Sequence, residues 1–196
     1  MSENFKKQFI INNNTIEDVL PDFITIVENL YGKSLICNKN IKKGDVIYTL
    51  NYFNIPNDDK KYILKLNCTN DKKLIFEITK MHTVKENELK RSFYSYDGFL
   101  NHSCDFNIIF SQKRETIYNN VFQFDSIAYK DIKEGDELTC NYFHFDYECD
   151  GHVFECKCGY KNCYGLINGF KNLTLEQQIE IMPFADNDML ENLKKK

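Results

Sequence analysis

One ten-residue stretch constrains this chain more than any other. Residues 98–107 read Gly-Phe-Leu-Asn-His-Ser-Cys-Asp-Phe-Asn, so an apolar pair leads into a dense group of small polar side chains with one imidazole and one thiol. A surface loop has little use for so many closely spaced donors and acceptors. We therefore expect a functional segment around which the rest of the chain is organised.

The composition indicates a soluble globular protein. The chain has 196 residues, 42% apolar and 28% charged, which is enough for one domain with a sizeable core or a domain with a small appendage. The net charge of -4 argues against a direct nucleic-acid partner, which would select a basic face. It mildly favours a cationic partner such as a lysine-rich peptide, and it leaves the oligomeric state open.

The sequence also predicts where the protein works. No apolar run approaches the ~20 residues of a membrane span, and the first eight residues lack the apolar core of a signal peptide. We therefore expect an intracellular protein, in the nucleus or cytoplasm, with no membrane partner. In such a reducing location the eight cysteines are expected to be thiols and metal ligands rather than disulfides.

Short β-branched runs separated by turn residues predict a mostly β fold. The predicted strands span residues 23–27, 35–37, 46–50, 62–66, 74–78, 121–124 and 126–129. Residues 1–21 are predicted to be a loosely held arm, and residues 51–61 a loop. One helix is predicted over residues 175–182, with Asn172 or Thr174 as its cap and Pro183 as its end.

Three clustered cysteines predict a metal site. Cys156, Cys158 and Cys163 follow a C-x-C-x4-C spacing, which lets a compact loop aim three thiolates at one point. A structural zinc site takes four ligands, and Cys104 is the natural fourth. A site that uses His102 or His152 instead of Cys104 remains open. The remaining cysteines are predicted to be buried small apolar residues: Cys37, Cys68, Cys140 and Cys149.

The order of these motifs resembles the SET domain, the fold of protein-lysine methyltransferases. The resemblance covers roughly residues 23–170. Each motif alone is common, but the ordered set is specific. It comprises a turn at Gly32, a strand opened by Tyr62, the segment Asn101-His102-Ser103-Cys104, the segment Glu137-Leu138-Thr139-x-x-Tyr142, and the knuckle Cys156 to Cys163.

The resemblance implies a fold of small curved β-sheets in which the Asn101 and Tyr142 segments cross in a knot-like arrangement. A short zinc-bound post-SET tail and a C-terminal helix would follow. The expected organisation is an N-terminal arm over residues 1–21, a SET domain over 22–148, a post-SET zinc segment over 149–170 and a helix with a tail over 171–196.

The resemblance also implies S-adenosylmethionine as methyl donor and a lysine-bearing protein or peptide, such as a histone, as substrate. The turn Gly32-Lys33-Ser34 would hold the methionine end of the cofactor. Asn101 and His102 would hold the adenine with Phe154 packed nearby. Tyr62 would reach the cofactor, although simple core packing is about as probable for that strand tyrosine. Tyr142 would be the essential catalytic side chain, orienting the amine and facing the sulfonium.

Two departures from the family pattern leave a second function open. Ser34 stands where a glycine is usual, and Phe106 where a proline is usual. With an altered cofactor turn, the chain would be a catalytically silent, zinc-stabilised peptide-binding module. A plain zinc-knuckle interaction protein is a third possibility.

The family position that governs the number of methyl groups matches Cys140 or Phe110. Neither residue has a hydroxyl, which predicts room for more than one methyl group on the target amine.

Overall fold

The computed structural model describes residues 15–29, 32–58, 60–68, 72–85, 89–112, 114–115, 122–149 and 153–194. Small β-sheets dominate, as predicted. The strands are β1 (Thr15–Val19), β2 (Ile24–Asn29), β3 (Gly32–Cys37), β4 (Val46–Pro56), β5 (Tyr62–Asn67), β6 (Lys73–Ile78), β7 (Thr83–Lys85), β8 (Lys90–Phe93), β9 (Asn101–His102), β10 (Ile108–Phe110), β11 (Arg114–Glu115), β12 (Phe122–Ala128), β13 (Glu137–Cys140), β14 (Phe154–Glu155) and β15 (Leu166–Ile167); the α-helices are α1 (Leu175–Ile181) and α2 (Asn187–Lys194).

The first sheet shows that the expected arm is ordered from Thr15 onward. Its order is β1-β5-β6, and β1 runs parallel to β5 with Ile16 fully buried. The expected hairpin forms between β5 and β6. The prediction of a loose arm therefore does not hold for residues 15–21, because the alternation of buried and exposed side chains in β1 is satisfied by pairing with β5. Residues 1–14 lie outside the described part.

The second sheet is built around β4, which is longer than predicted. Its main order is β10-β12-β4-β8-β7, and β11 also pairs with β12. The prediction of a loop from residue 51 is wrong up to Pro56, because Leu50, Tyr52 and Ile55 are buried between neighbouring strands. Pro56 ends the strand where its missing N–H no longer disrupts the ladder.

The third sheet, β2-β3-β13-β9, brings the two central segments together. Strands β9 and β13 are parallel, with Thr139 opposite Asn101 and Cys140 opposite His102. Beyond β9, the buried Asn107 side chain donates to the Glu137 carbonyl at 2.8 Å and accepts from the Thr139 N–H at 2.8 Å. This is the contact that a knot-like crossing of the two segments requires.

The C-terminal region packs on a second apolar cluster that includes Phe143, Phe170, Ile181 and Met189. Helix α1 begins as predicted, because Thr174 accepts from the Gln177 N–H while the Gln177 side chain accepts from the Thr174 N–H. Helix α2 was not predicted. No helix in the described ranges is long and apolar enough to cross a membrane.

Replacing Asn107 with alanine is expected to lower the free energy of unfolding by about 2–4 kcal/mol, because a buried N–H and a buried carbonyl of β13 both lose their partner. Urea unfolding followed by circular dichroism measures this change. Asn38→Ala is the matched control, since Asn38 is exposed and its side chain donates to the Thr25 hydroxyl on the surface. Equal midpoints for the two variants would contradict the assigned role of Asn107.

Candidate active site and metal centre

A cleft of about 1260 Å³ lies between the central sheet and the C-terminal tail, along the motifs identified in the sequence. Six of the predicted cofactor and catalytic residues line it: Gly32, Lys33, Asn101, His102, Tyr142 and Phe154. The cleft exceeds the usual ~300–1,000 Å³ of small-molecule pockets, so it has room for a nucleotide-sized ligand and a side chain together.

Asn101 fixes one wall of the cleft by a network of short hydrogen bonds. Its amide nitrogen lies 2.8 Å from a Glu137 carboxylate oxygen, 2.9 Å from the Ser34 hydroxyl and 3.1 Å from the Lys33 carbonyl. Ser34 is 1% exposed and does not line the cleft, because in β3 its side chain faces the interior. The replacement of glycine by Ser34 therefore adds a partner for Asn101 and leaves the cleft surface unobstructed.

His102 links the two crossing segments as a neutral ring. Its Nδ1 accepts from the Tyr142 N–H at 3.1 Å, and its Nε2 lies 3.3 Å from the Cys104 sulfur. Burial lowers the pKa of His102 to about 4, so the ring stays uncharged at neutral pH. The His102 ring thus connects the Asn101 and Tyr142 segments through a hydrogen bond and lies at the cleft where the adenine is expected.

Tyr142 stands at the junction of the segments with its hydroxyl anchored. The hydroxyl donates to the Leu100 carbonyl at 2.8 Å, and burial raises the pKa of Tyr142 well above its usual range. The ring centroids of His102 and Phe154 lie 5.4 Å and 6.1 Å from that of Tyr142. The half-exposed Phe154 thus forms an edge of the cleft beside both residues.

A group of aromatic side chains lines the cleft around Tyr142. Phe145 lies 5.8 Å from Tyr142 between ring centroids, and Phe110 lies 5.9 Å from Phe145. Phe124 contacts Phe110 at 5.4 Å and Tyr94 at 5.6 Å. We call Tyr94, Phe110, Phe124, Tyr142 and Phe145 the aromatic pocket. Such rings exclude water and favour a cation over their faces.

Tyr62 is the predicted site residue that the structure places elsewhere. It is 6% exposed, packs in the main core, and does not line the cleft. The sheet β1-β5-β6 turns it toward Ile55 and Ile78 at a separate small depression. The structure thus favours the core-packing interpretation of Tyr62 over contact with a cofactor.

The four predicted metal ligands come together. The sulfur atoms of Cys104, Cys156, Cys158 and Cys163 all lie within 4.8 Å of one another. Cys104 is 3.7 Å from both Cys156 and Cys163. A tetrahedral zinc ion with Zn–S distances of about 2.3 Å requires sulfur separations of about 3.8 Å, so the donor set fits zinc in number, type and spacing.

The thiols of the cluster differ in how readily they ionise without a cation. Burial raises the pKa of Cys104 well above its usual range and that of Cys156 to about 11, whereas hydrogen bonds outweigh the effect of burial and lower the pKa of Cys158 to about 6. A bound divalent cation would offset the charge of thiolates at these positions. His102 does not belong to the group of clustered ligand atoms, and the alternative ligand His152 lies outside the described residues.

Two cleft residues were missed in the sequence. Asp97 immediately precedes the stretch at residues 98–107, and its buried carboxyl accepts from the Tyr48 hydroxyl at 2.7 Å and the Ser126 hydroxyl at 3.3 Å. His144 is 1% exposed and its ring lies between Phe106 and Phe184, with centroids at 4.7 Å and 5.1 Å. Phe106, the second departure from the family pattern, thus packs against Phe184 of the C-terminal tail.

Zinc content should follow the cysteine cluster. We expect about one zinc per chain by elemental mass spectrometry, loss of zinc in Cys163→Ser, and a lower melting temperature after chelation, because the metal ties the tail to Cys104. Cys68→Ser is the control, since Cys68 is half-buried outside the cluster. A metal-free wild type after expression with zinc would contradict the assignment.

Stability should fall as the pH rises because of Asp97. Burial raises the pKa of Asp97 from 3.8 to about 8, helped by the nearby charge of Asp18 and opposed by the Tyr48 and Ser126 hydrogen bonds. The folded chain therefore holds this proton more tightly than the unfolded chain, and the stabilisation present below pH ~4 is lost progressively up to pH ~8. Between these pH values the melting temperature of Asp97→Asn should fall less than that of wild type. An equal fall in both proteins would refute the assignment.

Comparison with known proteins agrees with these features. The family description "SET domain" matches residues 32–143, more than half of the chain. Over 73 residues the chain is 38% identical to a histone-lysine N-methyltransferase, H3 lysine-9 specific, from Fusarium mangiferae, a match that covers 33% of this chain and 21% of that protein. It is 32% identical over 73 residues to a SET and MYND domain-containing protein of Dictyostelium discoideum, covering 33% of this chain and 13% of that protein.

The matched segment thus spans about a fifth or less of these relatives. A crystal structure from Plasmodium falciparum, titled as a candidate histone methyltransferase, shares 20% identity, covers 64% of this chain and 96% of that one, and superposes with a TM-score of 0.42. At that score the superposition does not by itself establish a shared fold. The family match over residues 32–143 spans both crossing segments and most of the residues that line the cleft, and the chain belongs to the SET-domain family.

Proposed function

We propose that this protein is an S-adenosylmethionine-dependent protein-lysine N-methyltransferase. The observation that carries the proposal is the junction of the two crossing segments, where Asn101, His102 and the Tyr142 hydroxyl meet at one cleft beside the aromatic pocket. Membership of the SET-domain family supports the same activity.

The cleft residues fit S-adenosylmethionine. Gly32 is exposed at the cleft with a φ of 115°, a conformation in which glycine lets backbone approach a ligand closely. Gly32 and Lys33 would hold the amino-acid end, while Asn101, His102 and Phe154 would hold the adenine. When bound, the cofactor supplies a methyl group on a positively charged sulfur.

The aromatic pocket suits the uncharged amine that methyl transfer requires. A free lysine has a pKa of about 10.4, so about one molecule in a thousand is neutral near pH 7. The rings exclude water and thereby penalise the charged form. The raised pKa of Tyr142 keeps its hydroxyl protonated, and this hydroxyl donates its hydrogen to the Leu100 carbonyl. The hydroxyl oxygen can at the same time accept an N–H from the amine.

Zinc would complete the wall that carries Phe154. Cys156 and Cys158 line the cleft two and four residues after Phe154, and Cys104 follows His102 by two residues. A zinc ion held by the four thiolates would therefore fix the β14–β15 hairpin against the central stretch. Its role would be structural, because four protein ligands leave no open position.

A histone tail is the proposed substrate class. The matched relative from Fusarium mangiferae is named for a histone lysine. The net charge of -4 is compatible with a lysine-rich partner. Phe110 lines the pocket, and Cys140 lies beside it, 1% exposed. Neither offers a hydroxyl, so more than one methyl group is expected on the product.

Replacing Tyr142 with phenylalanine is expected to lower methyl transfer at least 100-fold, because the amine loses the oxygen that orients it. The measurement is tritium transfer from labelled S-adenosylmethionine to core histones and to a cell extract. Tyr129→Phe is the control, since Tyr129 is 37% exposed and does not line the cleft.

The two competing functions predict different results for cofactor binding and label transfer. A catalytically silent peptide-binding module would bind S-adenosylmethionine in calorimetry and transfer no label to either substrate set. A zinc-knuckle interaction protein would not bind the cofactor at all. Label that persists in Tyr142→Phe would contradict the role assigned to Tyr142 while retaining the enzyme.

A further inference from the structure

Asp97 is a buried carboxyl that the proposed chemistry does not yet use. It is 8% exposed and lines the cleft. Its two hydrogen-bond donors are the Tyr48 and Ser126 hydroxyls, and among the described residues no lysine, arginine or histidine forms an ion pair with it. A carboxyl buried without a cationic partner is rare in folded proteins, because two hydroxyl donors do not replace the lost hydration of a charge.

The backbone places this carboxyl at the inner end of the aromatic pocket. Asp97 sits in the 3-10 turn Ser95–Phe99, whose flanking residue Tyr94 belongs to the pocket. The Leu100 N–H donates to the Asp97 carbonyl at 3.0 Å, and the Leu100 carbonyl in turn anchors the Tyr142 hydroxyl. One short turn therefore sets the carboxyl and the anchored end of Tyr142 relative to each other.

The groups behind Asp97 close that end of the pocket. Ser126 is fully buried, Tyr48 is 7% exposed, and the Tyr96 ring packs edge-on against Tyr48 at 5.3 Å. Burial raises the pKa of the Cys140 thiol, which is 1% exposed, and the nearby Asp97 raises it further. These groups enclose the carboxyl on the side away from the cleft. Asp97 itself lines the cleft together with Cys140, a position expected to govern the number of methyl groups.

We propose that Asp97 recognises the target amine by accepting a hydrogen bond from an amine N–H at the inner end of the aromatic pocket. The site therefore binds alkylamines that keep an N–H and disfavours quaternary ammonium groups. The proposal rests on the proposed function for the identity of the amine as lysine. The carbonyl oxygen of the carboxyl can accept an amine N–H whether or not the acid carries its proton, and burial makes such a contact stronger than it would be in water.

A consequence follows for the end product. In each transfer the amine lone pair forms an N–C bond to the methyl group, the S–C bond of the sulfonium donor breaks and leaves a neutral thioether, and the nitrogen then loses one N–H proton to solvent. A neutral primary amine has two N–H bonds, a secondary amine has one, and a tertiary amine has none. If Asp97, rather than Tyr142, must hold the last N–H of a secondary amine while the nitrogen lone pair faces the methyl donor, methylation ends at dimethyllysine.

The test uses four lysine side-chain analogues: n-butylammonium and its N-methyl, N,N-dimethyl and N,N,N-trimethyl derivatives. Binding to the intact protein is followed by NMR titration in wild type, Asp97→Asn and Asp125→Asn. Asp125 is the matched control, because it lies next to Ser126 on β12, accepts from the Thr49 hydroxyl and does not line the cleft.

In wild type, the three analogues with an N–H should bind at least about tenfold more tightly than the quaternary analogue, the size of one hydrogen bond to a charged group. Asp97→Asn should remove this preference, and Asp125→Asn should keep it. Equal binding of all four analogues to wild type, absence of saturable binding of n-butylammonium, or an unchanged preference in Asp97→Asn would overturn the proposal. The four analogues with wild type alone still test the preference for an N–H, even if Asp97→Asn fails to fold.

Product mass spectrometry gives a second, independent readout. Wild type acting on core histones should yield dimethyllysine as the most methylated product, and trimethyllysine as the main product would overturn the proposal. The titration needs no turnover. Selectivity for N–H analogues with no methyl transfer to any protein would therefore refute the proposed function alone and leave the recognition role of Asp97 standing.

Discussion

The parallel contact between β9 and β13 is the constraint on which the site depends. It sets Asn101 opposite Thr139 and His102 opposite Cys140, and the side chain of Asn107 closes it with two hydrogen bonds to β13. Residues almost forty positions apart in the chain therefore share one wall. Tyr142 follows β13 directly, so its position relative to His102 is set by the backbone rather than by a flexible loop.

The electrostatics around this contact favour uncharged groups. His102 is neutral because it is buried, Tyr142 keeps its proton for the same reason, and Asp97 is a carboxyl whose ionised form is disfavoured. A site of this kind has little capacity to solvate a free charge, and its aromatic walls reinforce that property. Methyl transfer to an amine requires such a place, where the nitrogen lone pair is available and water does not compete for it.

The thiol cluster adds a second long-range constraint. Cys104 belongs to the central stretch, whereas the other three cysteines belong to the tail, and their sulfur atoms converge within 4.8 Å. The tail also packs through Phe184 on Phe106 and His144, which explains why a large aromatic residue replaces the usual proline at position 106. The C-terminal segment is thereby held at the cleft by both a metal-type donor set and apolar contact.

The sequence by itself determined the mostly β class, the family, the helix begun by Thr174 and the three clustered cysteines of the tail, because each depends on local residue patterns or on the order of motifs. The structure decided that Cys104, and not His102, joins those three cysteines. The sequence also pointed to the residues that flank the cleft, since Asn101, His102 and Tyr142 are recognisable in order along the chain. Only the tertiary structure decided which way each side chain faces. Strand pairing turned Ser34 inward to Asn101 and placed Tyr62 in the core, and neither orientation is encoded by its neighbours in sequence. The same is true of Asp97, whose burial against Tyr48 and Ser126 arises from contacts made across long stretches of the chain.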